Sequence, residues 1–351
     1  MEENVNGWYI ALRWTLFVVV GIPFQVLCYA LYPLLLVYYR FYVKPTSGEK
    51  LVLPAERWSI DELIGRASND RLRDEFFLDI QDDHAALCHY GLWFLRPGLA
   101  AGGLRALLYP NGGLRRRYPN DGGNPVSGDA LSSWAACYAM HGGDKELLRS
   151  LAKHYTVNCM GLGAYAHDWK VSNRSSNSGV NYVFDGWKGI NQPCLGPQYF
   201  TSAALLALAA RDLGGWWHVV YFLHWLLMGG WMFSIVPFIG THLADLYYVQ
   251  HVTMLNLYTV SRCSRNPVYK WAMRYIAIHC SPGKNVNPLF YALAATALTE
   301  SEREEALKVC TRIKHLWPQV SPTSQSFFDS GMDNDFYSIV AGAAAMLRGK
   351  A

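Results

Sequence analysis

Two long apolar stretches constrain this chain more than anything else in its sequence. Between Trp14 and Tyr39 there is no charged side chain, a length that lets one helix of about 20 residues cross a bilayer. The second stretch, residues 216–240, reads WWHVVYFLHWLLMGGWMFSIVPFIG and carries no charge either, only His218 and His224. A soluble core is seldom left free of charge over such lengths, so both stretches are expected to meet the lipid bilayer. Composition agrees, because only 17% of residues are charged against the roughly 25% usual for soluble chains. The opening MEENVNG is acidic and no small-residue cleavage site follows the apolar run, so residues 1–50 are read as a retained membrane anchor, not a signal peptide. Arg40, Lys44 and Lys50 follow it, which by the positive-inside bias puts the main domain on the cytoplasmic side of the membrane.

Helix breakers interrupt each stretch: Gly21-Ile22-Pro23 in the first, Gly229-Gly230 and Pro237 in the second. The first reads as a span or as a short hairpin dipping into one leaflet. A true span at 216–240 would put residues 50–214 and 241–351 on opposite sides of the membrane. Those two regions carry the same repeating pattern, so the second segment is expected to be monotopic or re-entrant. A buried helix pair inside a large all-α domain is the alternative.

Residues 51–351 form that domain. Small and apolar residues recur at helical spacing over 82–94, 129–140, 145–155, 200–213, 242–263, 267–279, 289–298, 301–316 and 336–347. Ser127-Gly128-Asp129 and Thr299-Glu300-Ser301 mark helix starts, and no run alternates as a strand would. Helix pairs recur roughly every 35–45 residues, the mark of stacked helical hairpins. One member of each pair is rich in Ala, Ser, Leu and aromatics, as an inner helix packed on all sides must be, and the other is amphipathic. Inner helices are expected at 82–94, 129–140, 200–213, 242–263, 289–298 and 336–347, giving an all-α (α/α)6 ring.

With the loop sequences NPVSGDALSSW and DWKVSNRSSNSGVNYVFDGWKG, this pattern resembles the α/α-toroid proteins, the six-hairpin glycosidase-like group, over about residues 60–351. The resemblance implies a central funnel lined by inner-helix N-termini, where acidic and aromatic side chains act on glycans. A membrane-bound branch of that architecture, similar to linalool dehydratase-isomerase, implies small isoprenoid alcohols instead.

Several function classes are excluded or disfavoured. The net charge of +4 is small and dispersed, which argues against a nucleic-acid partner. Arg115-Arg116-Arg117 is the one basic cluster, in a Gly/Pro/Asn-rich loop. It reads as a solvated turn, or as a contact for anionic lipid headgroups. Eight cysteines are scattered without a CxxC or Cys/His ligand spacing, so no metal site is expected, and thiols such as Cys137 in LSSWAACYAM read as small buried hydrophobes. The GG pairs lack the strand and lysine of a nucleotide loop. No cofactor is expected.

Acids that open small-residue helices are the candidates for chemistry: Asp82 and Asp83 before HAALCHYGLW, Asp129 before ALSSW, and Asp333 and Asp335 before FYSIVAGAAAM. Each is also a natural helix cap, favoured there by the dipole. Residues 165–198 supply the richest loop, with His167, Asp168, Trp169, Asn181, Tyr182, Asp185, Trp187 and Asn191. Trp and Tyr faces stack on sugar rings, and Asn and Asp bind hydroxyls. Paired carboxylates permit acid/base hydrolysis, one acid serving the leaving oxygen while its partner activates water. Asp129 with Asp168 or Asp83 is the expected catalytic pair, with Asp333, Asp335 and the 165–198 side chains binding substrate. His84, His167, His242 and His251 are alternative proton shuttles.

Three functions follow as expectations. The first is a membrane-associated hydrolase or lyase acting on a glycan or polyol. The second is a dehydratase/isomerase-like enzyme on a lipid-soluble alcohol, and the third is a non-catalytic membrane-bound scaffold.

Overall fold

Burial without amphipathicity governs the architecture. The computed structural model describes residues 57–69, 90–115, 128–153, 197–227, 247–280, 288–312 and 333–349, except 92 and 111, with isolated positions 15, 19, 23, 34 and 55. Within helices, the side chains of 66–69, 128–130, 197–202, 224, 227, 247–253, 279–280, 289 and 333–339 lie outside that description. The described residues are all-α: helix takes 80% of them and no strand occurs among them. Leu108 and Leu114 form an isolated antiparallel bridge.

The helices are α1 (Ile60–Asn69), α2 (Pro97–Ala106), α3 (Gly128–His141), α4 (Lys145–Lys153), α5 (Pro197–Leu213), α6 (Trp216–Leu227), α7 (Tyr247–Cys263), α8 (Pro267–Cys280), α9 (Pro288–Leu293), α10 (Glu300–Arg312) and α11 (Asp333–Leu347). A further helical segment, 90–95, ends just before Pro97 starts α2. Two starts are capping boxes, in which a hydroxyl and a carboxylate three residues on exchange backbone bonds. The Glu302 N–H donates to Thr299 Oγ1 at 3.3 Å while the Thr299 N–H donates to Glu302 Oε2 at 2.8 Å. Ser59 and Glu62 do the same for α1.

Two classes of helix alternate along the chain. α3, α5 and α7 are buried all round: side chains 131–139, 203–210 and 254–260 are each continuously shielded from water. Their Ala and Ser content lets backbones approach closely. Between them come amphipathic helices such as α4, which buries Leu148, Leu151 and Ala152 and exposes Lys145, Glu146, Arg149 and Lys153.

Contacts link the buried helices in sequence order. The Cys137 thiol of α3 lies 3.9 Å from the Tyr90 carbonyl oxygen. α3 packs on α5, α5 on α7, α7 on α9, and α9 on α11. α11 returns to segment 90–95, because a Cβ placed on Gly342 would collide with the carbonyl oxygen of Gly91. α3 also touches α7, and Phe94 meets Tyr258 across 6.2 Å. The amphipathic α10 and α1 are neighbours too, joined by the Trp58 N–H donating to the Thr311 carbonyl at 2.9 Å.

Where they are described, the expected inner helices appear as buried helices, with corrections at their ends; residues 82–89 and 242–246 of two of them lie outside the described residues. The helix expected over 289–298 stops at Leu293 and tightens into turns, where the Ala297 N–H donates to the Ala294 carbonyl at 2.7 Å. α1 and α2 were not expected. α2, PGLAAGGLRA, has poor helix formers, yet Gly103 is needed because the Trp93 indole rests where its side chain would be. No helix among the described residues is long and apolar enough to cross a membrane. Most of the first apolar stretch, and residues 228–240 of the second, lie outside the described residues. α6 has 12 residues, a rise of about 18 Å against a hydrocarbon core of about 30 Å. It is not the buried helix of the alternative reading: Trp217 and Tyr221 pack on the core, while Trp216, Val219, Phe222, Leu223 and Leu226 are exposed.

Gly342→Ala tests the closest backbone approach. Overpacking against the Gly91 carbonyl is expected to cost about 1–3 kcal/mol, measured by denaturant unfolding. An unchanged unfolding midpoint would refute the contact.

Candidate functional site

The two ends of the helical body differ in how the chain passes between helices. Connections leaving a buried helix are short: residue 96, then 142–144, 214–215, 264–266 and 294–299. The stretches of sequence between an amphipathic helix and the next buried one are longer, at 107–127, 154–196, 228–246, 281–287 and 313–332, and most of their residues lie outside the described ones. The turns 142–144, 214–215 and 264–266 share one end, because the last turns of α3, α5 and α7 act on one another electrostatically. Asp212 and Arg211 reach Tyr138, Arg262 reaches His141, and Arg211 reaches Cys263. The three helices therefore run parallel, with their N-termini together at the opposite end.

Asp129 is the second residue of α3, and Asp333 and Asp335 are the first and third of α11. All three stand in first turns, where a carboxylate is stabilised by the helix dipole; their side chains lie outside the described residues. Asp83, His167, Asp168, Trp169, Asn181, Tyr182, Asp185, Trp187 and Asn191 all fall outside the described residues. Segment 90–95 touches both helices that carry the placed acids, α3 at Cys137 and α11 at Gly342. Asp129 stands eight residues before Cys137 in sequence, and Asp333 and Asp335 nine and seven before Gly342. At about 1.5 Å of rise per residue, the three lie at similar distances, about 10–14 Å along their helices, from those contacts.

The short-turn end holds a cluster of titratable groups absent from the sequence expectations. Its chemistry is quiet. Burial pushes the Cys263 thiol and the Tyr138 phenol each up to about 12, so neither is a nucleophile or base at neutral pH. Burial also raises Cys137 and Cys310; these two and Cys263 are free thiols. Arg211 pairs with Asp212 at 2.6 Å, and Arg105 with Asp144 at 2.8 Å. His141, Arg211 and Arg262 sit in last turns, where the two arginines offset the converging negative ends of three helix dipoles. That pattern of basic residues at helix ends was the sequence signal for the cluster. Among the described residues, no group of three His, Cys, Asp or Glu is placed to hold a metal ion.

Compared with protein-family models, curated proteins and solved structures, the chain matches none. The functional reading therefore rests on the chain's own geometry.

His141 yields a pH test. Its Nε2 lies 2.9 Å from the Trp93 carbonyl oxygen. Burial lowers its pKa below the ordinary 6.5, the Trp93 and Phe94 carbonyls oppose this, and Arg262 adds to it. The unfolded chain thus takes up the proton first. Stability is full above the ordinary histidine range and falls as pH drops through it, levelling below the folded value. His141→Gln keeps a donor for the carbonyl and removes the titration. Between about pH 7 and pH 5 the parent is expected to lose more unfolding free energy than this variant; equal losses would refute the assignment.

Proposed function

We propose that this chain is a membrane-associated enzyme built as an (α/α)6 ring of helical hairpins. Carboxylates at the N-terminal end of its inner helices act by acid/base chemistry on a glycan or polyol, as a hydrolase or lyase. The placement of acids carries this reading: Asp129, Asp333 and Asp335 occupy the first turns of buried helices, each preceded by a long stretch of sequence after the helix before it. The contact from α11 back to segment 90–95 supports closure of the ring. The raised pKa values of Cys263 and Tyr138 at the short-turn end support a site at the opposite end.

In this reading, α11 runs parallel to α3, so Asp129 and the α11 acids share one rim. Asp129 works with Asp168 or Asp83, and one carboxylic acid protonates the leaving oxygen while its partner activates water or the substrate hydroxyl. Asp333 and Asp335 bind substrate hydroxyls. His167, Asn181, Asp185 and Asn191 add further hydrogen bonds, and Trp169, Tyr182 and Trp187 provide stacking faces. The first apolar stretch anchors the chain, with the ring on the cytoplasmic side.

A second reading takes a lipid-soluble isoprenoid alcohol as substrate, handled by dehydratase/isomerase-like chemistry. The exposed apolar face of α6 favours it, since α6 packs directly on the buried α5 and offers an apolar route towards the ring.

The test is turnover of aryl glycosides, polysaccharides and isoprenoid alcohols by the full chain and by Asp129→Asn. This substitution keeps capping ability and removes the charge. Turnover is expected to fall by about 10²–10⁴-fold with little change in stability. Turnover of a glycoside selects the first reading, and of an isoprenoid alcohol the second. Undiminished turnover in Asp129→Asn would discard the site, and no turnover of any class would leave a non-catalytic scaffold.

A further inference from the structure

The outer surface around α6 combines a bare apolar face with flanking charges that, among the described residues, are of one sign wherever no ion pair engages them. Over one side of α6, Trp216, Val219, Phe222, Leu223 and Leu226 are 70%, 45%, 57%, 44% and 49% exposed. At 100° per residue these five positions fall within a single arc of roughly 120°, the width of an apolar helix face. α6 contains no Asp, Glu, Lys or Arg. Its opposite side is fixed to the body: Trp217 and Tyr221 pack on the core, and Tyr221 and Trp225 hydrogen-bond the Tyr269 hydroxyl of α8. The apolar face is therefore held outward by a rigid attachment. On α8, Trp271 is a further exposed aromatic at 42%.

Charges on the flanking helices are sorted. α4 packs on α5 as α6 does, and α8 lies against α6 through Tyr269. In α4, α6, α8 and their leading turns, with the last turn of α5, each acid is engaged by an arginine. Asp144 pairs with Arg105, Glu146 with Arg149, and Asp212 with Arg211. Exposed cations on these elements and the end of α7 include Lys145, Lys153, Arg262, Arg265 and Lys270, and no ion pair engages these five among the described residues. An apolar, aromatic-bearing face between helices whose unmatched charge is all positive is complementary to one surface: headgroups that are anionic over an interior that is apolar. At about 18 Å, α6 is too short to span and suited to lie in the interfacial plane.

We propose that the α6–α8 face is a docking surface for an anionic lipid bilayer, with α6 lying flat at the headgroup boundary and Trp216, Phe222 and Leu226 inserted. This rests on the membrane reading above and deepens it. The body of the protein is held against the bilayer along α6, independently of the first apolar stretch, and the basic side chains select anionic lipid.

Photocrosslinking on the full chain tests it. A benzophenone side chain replaces exposed Phe222, with a control in place of exposed Lys308 on α10, and each protein is mixed with phosphatidylcholine vesicles with or without phosphatidylserine. The expected result is a lipid adduct at 222, severalfold stronger with phosphatidylserine, and none at 308. Arg265→Glu with Lys270→Glu, both at exposed positions, is expected to abolish the phosphatidylserine gain. Four outcomes overturn the proposal: vesicle flotation with no lipid adduct at 222, equal adducts at 222 and 308, equal yields with and without phosphatidylserine, or a crosslink from 222 to a second copy of the chain. In each of these the chain stays on vesicles or assembles, and the enzymatic reading stands untouched. Failure to float with any vesicle overturns both this proposal and the membrane part of the proposed function.

Discussion

Close approach of small-residue helices is the constraint on which the rest of this structure depends. α5 places Ala203, Ala204, Ala207, Ala209 and Ala210 in the core, and α11 places Ala341, Ala343, Ala344 and Ala345 there. Side chains this short bury little area each, so their stabilisation comes from dense packing of backbone on backbone. Gly342 against Gly91 is the limiting case, where a single methyl has no room. The large aromatics fill what remains: Trp93, Trp134, Tyr90 and Phe94 are wholly enclosed, and Trp134 also spends its N–H on the Leu104 carbonyl at 3.0 Å. Replacing a small residue here by a larger one forces neighbouring helices apart.

Polar groups at the short-turn end serve that same packing. Three parallel helices bring three negative dipole ends together, a repulsive arrangement unless cations are supplied. Arg211 and Arg262 supply them. The arginine–carboxylate pairs then keep the added charge from accumulating. Glu302 shows how one side chain joins two levels of structure. It closes the Thr299 capping box of α10 and also holds Arg274 of α8 at 2.6 Å. Those bonds, Arg274 first, depress its carboxyl to about 2, so the link between the two amphipathic helices persists into acid.

Much of the helical layout was legible in the sequence because buried and amphipathic helices differ in composition. ALSSWAACYAM and the Ala-rich run of α5 have nowhere to put a polar face, and they are buried helices. LLRSLAK has an obvious one, and it lies outside. The Thr299 start was readable from its hydroxyl and nearby acids, whereas Ser59 and Glu62 escaped because α1, amphipathic through Ile60, Leu63 and Ile64, is only 10 residues long and its partner α11 lies at the far end of the sequence. α2 escaped because its glycines answer to Trp93, a tertiary demand that no local pattern displays. Asp129, Asp333 and Asp335 were legible as helix starts, since capping is a local property. Whether they act together is a matter of side-chain geometry, which capping chemistry does not encode. The cluster around His141 went unread for a related reason: the basic residue at each helix end is a local signal, but the members are far apart in sequence and meet only because α3, α5 and α7 are parallel.

The pairing of α1 with α11 has a consequence for how this protein comes into being. The earliest described helix packs against the last, and the backbone just before α1 bonds the end of α10. On a ribosome, α1 emerges long before its partner exists, and its apolar side must wait while every intervening hairpin is made. Contacts so remote in sequence slow folding, because the loop they close is nearly the whole chain. During that wait the exposed face of α6 is also present in a half-built body. A bilayer already beside the nascent chain would give that face a place to rest, so that assembly of the body and delivery to its surface become one event.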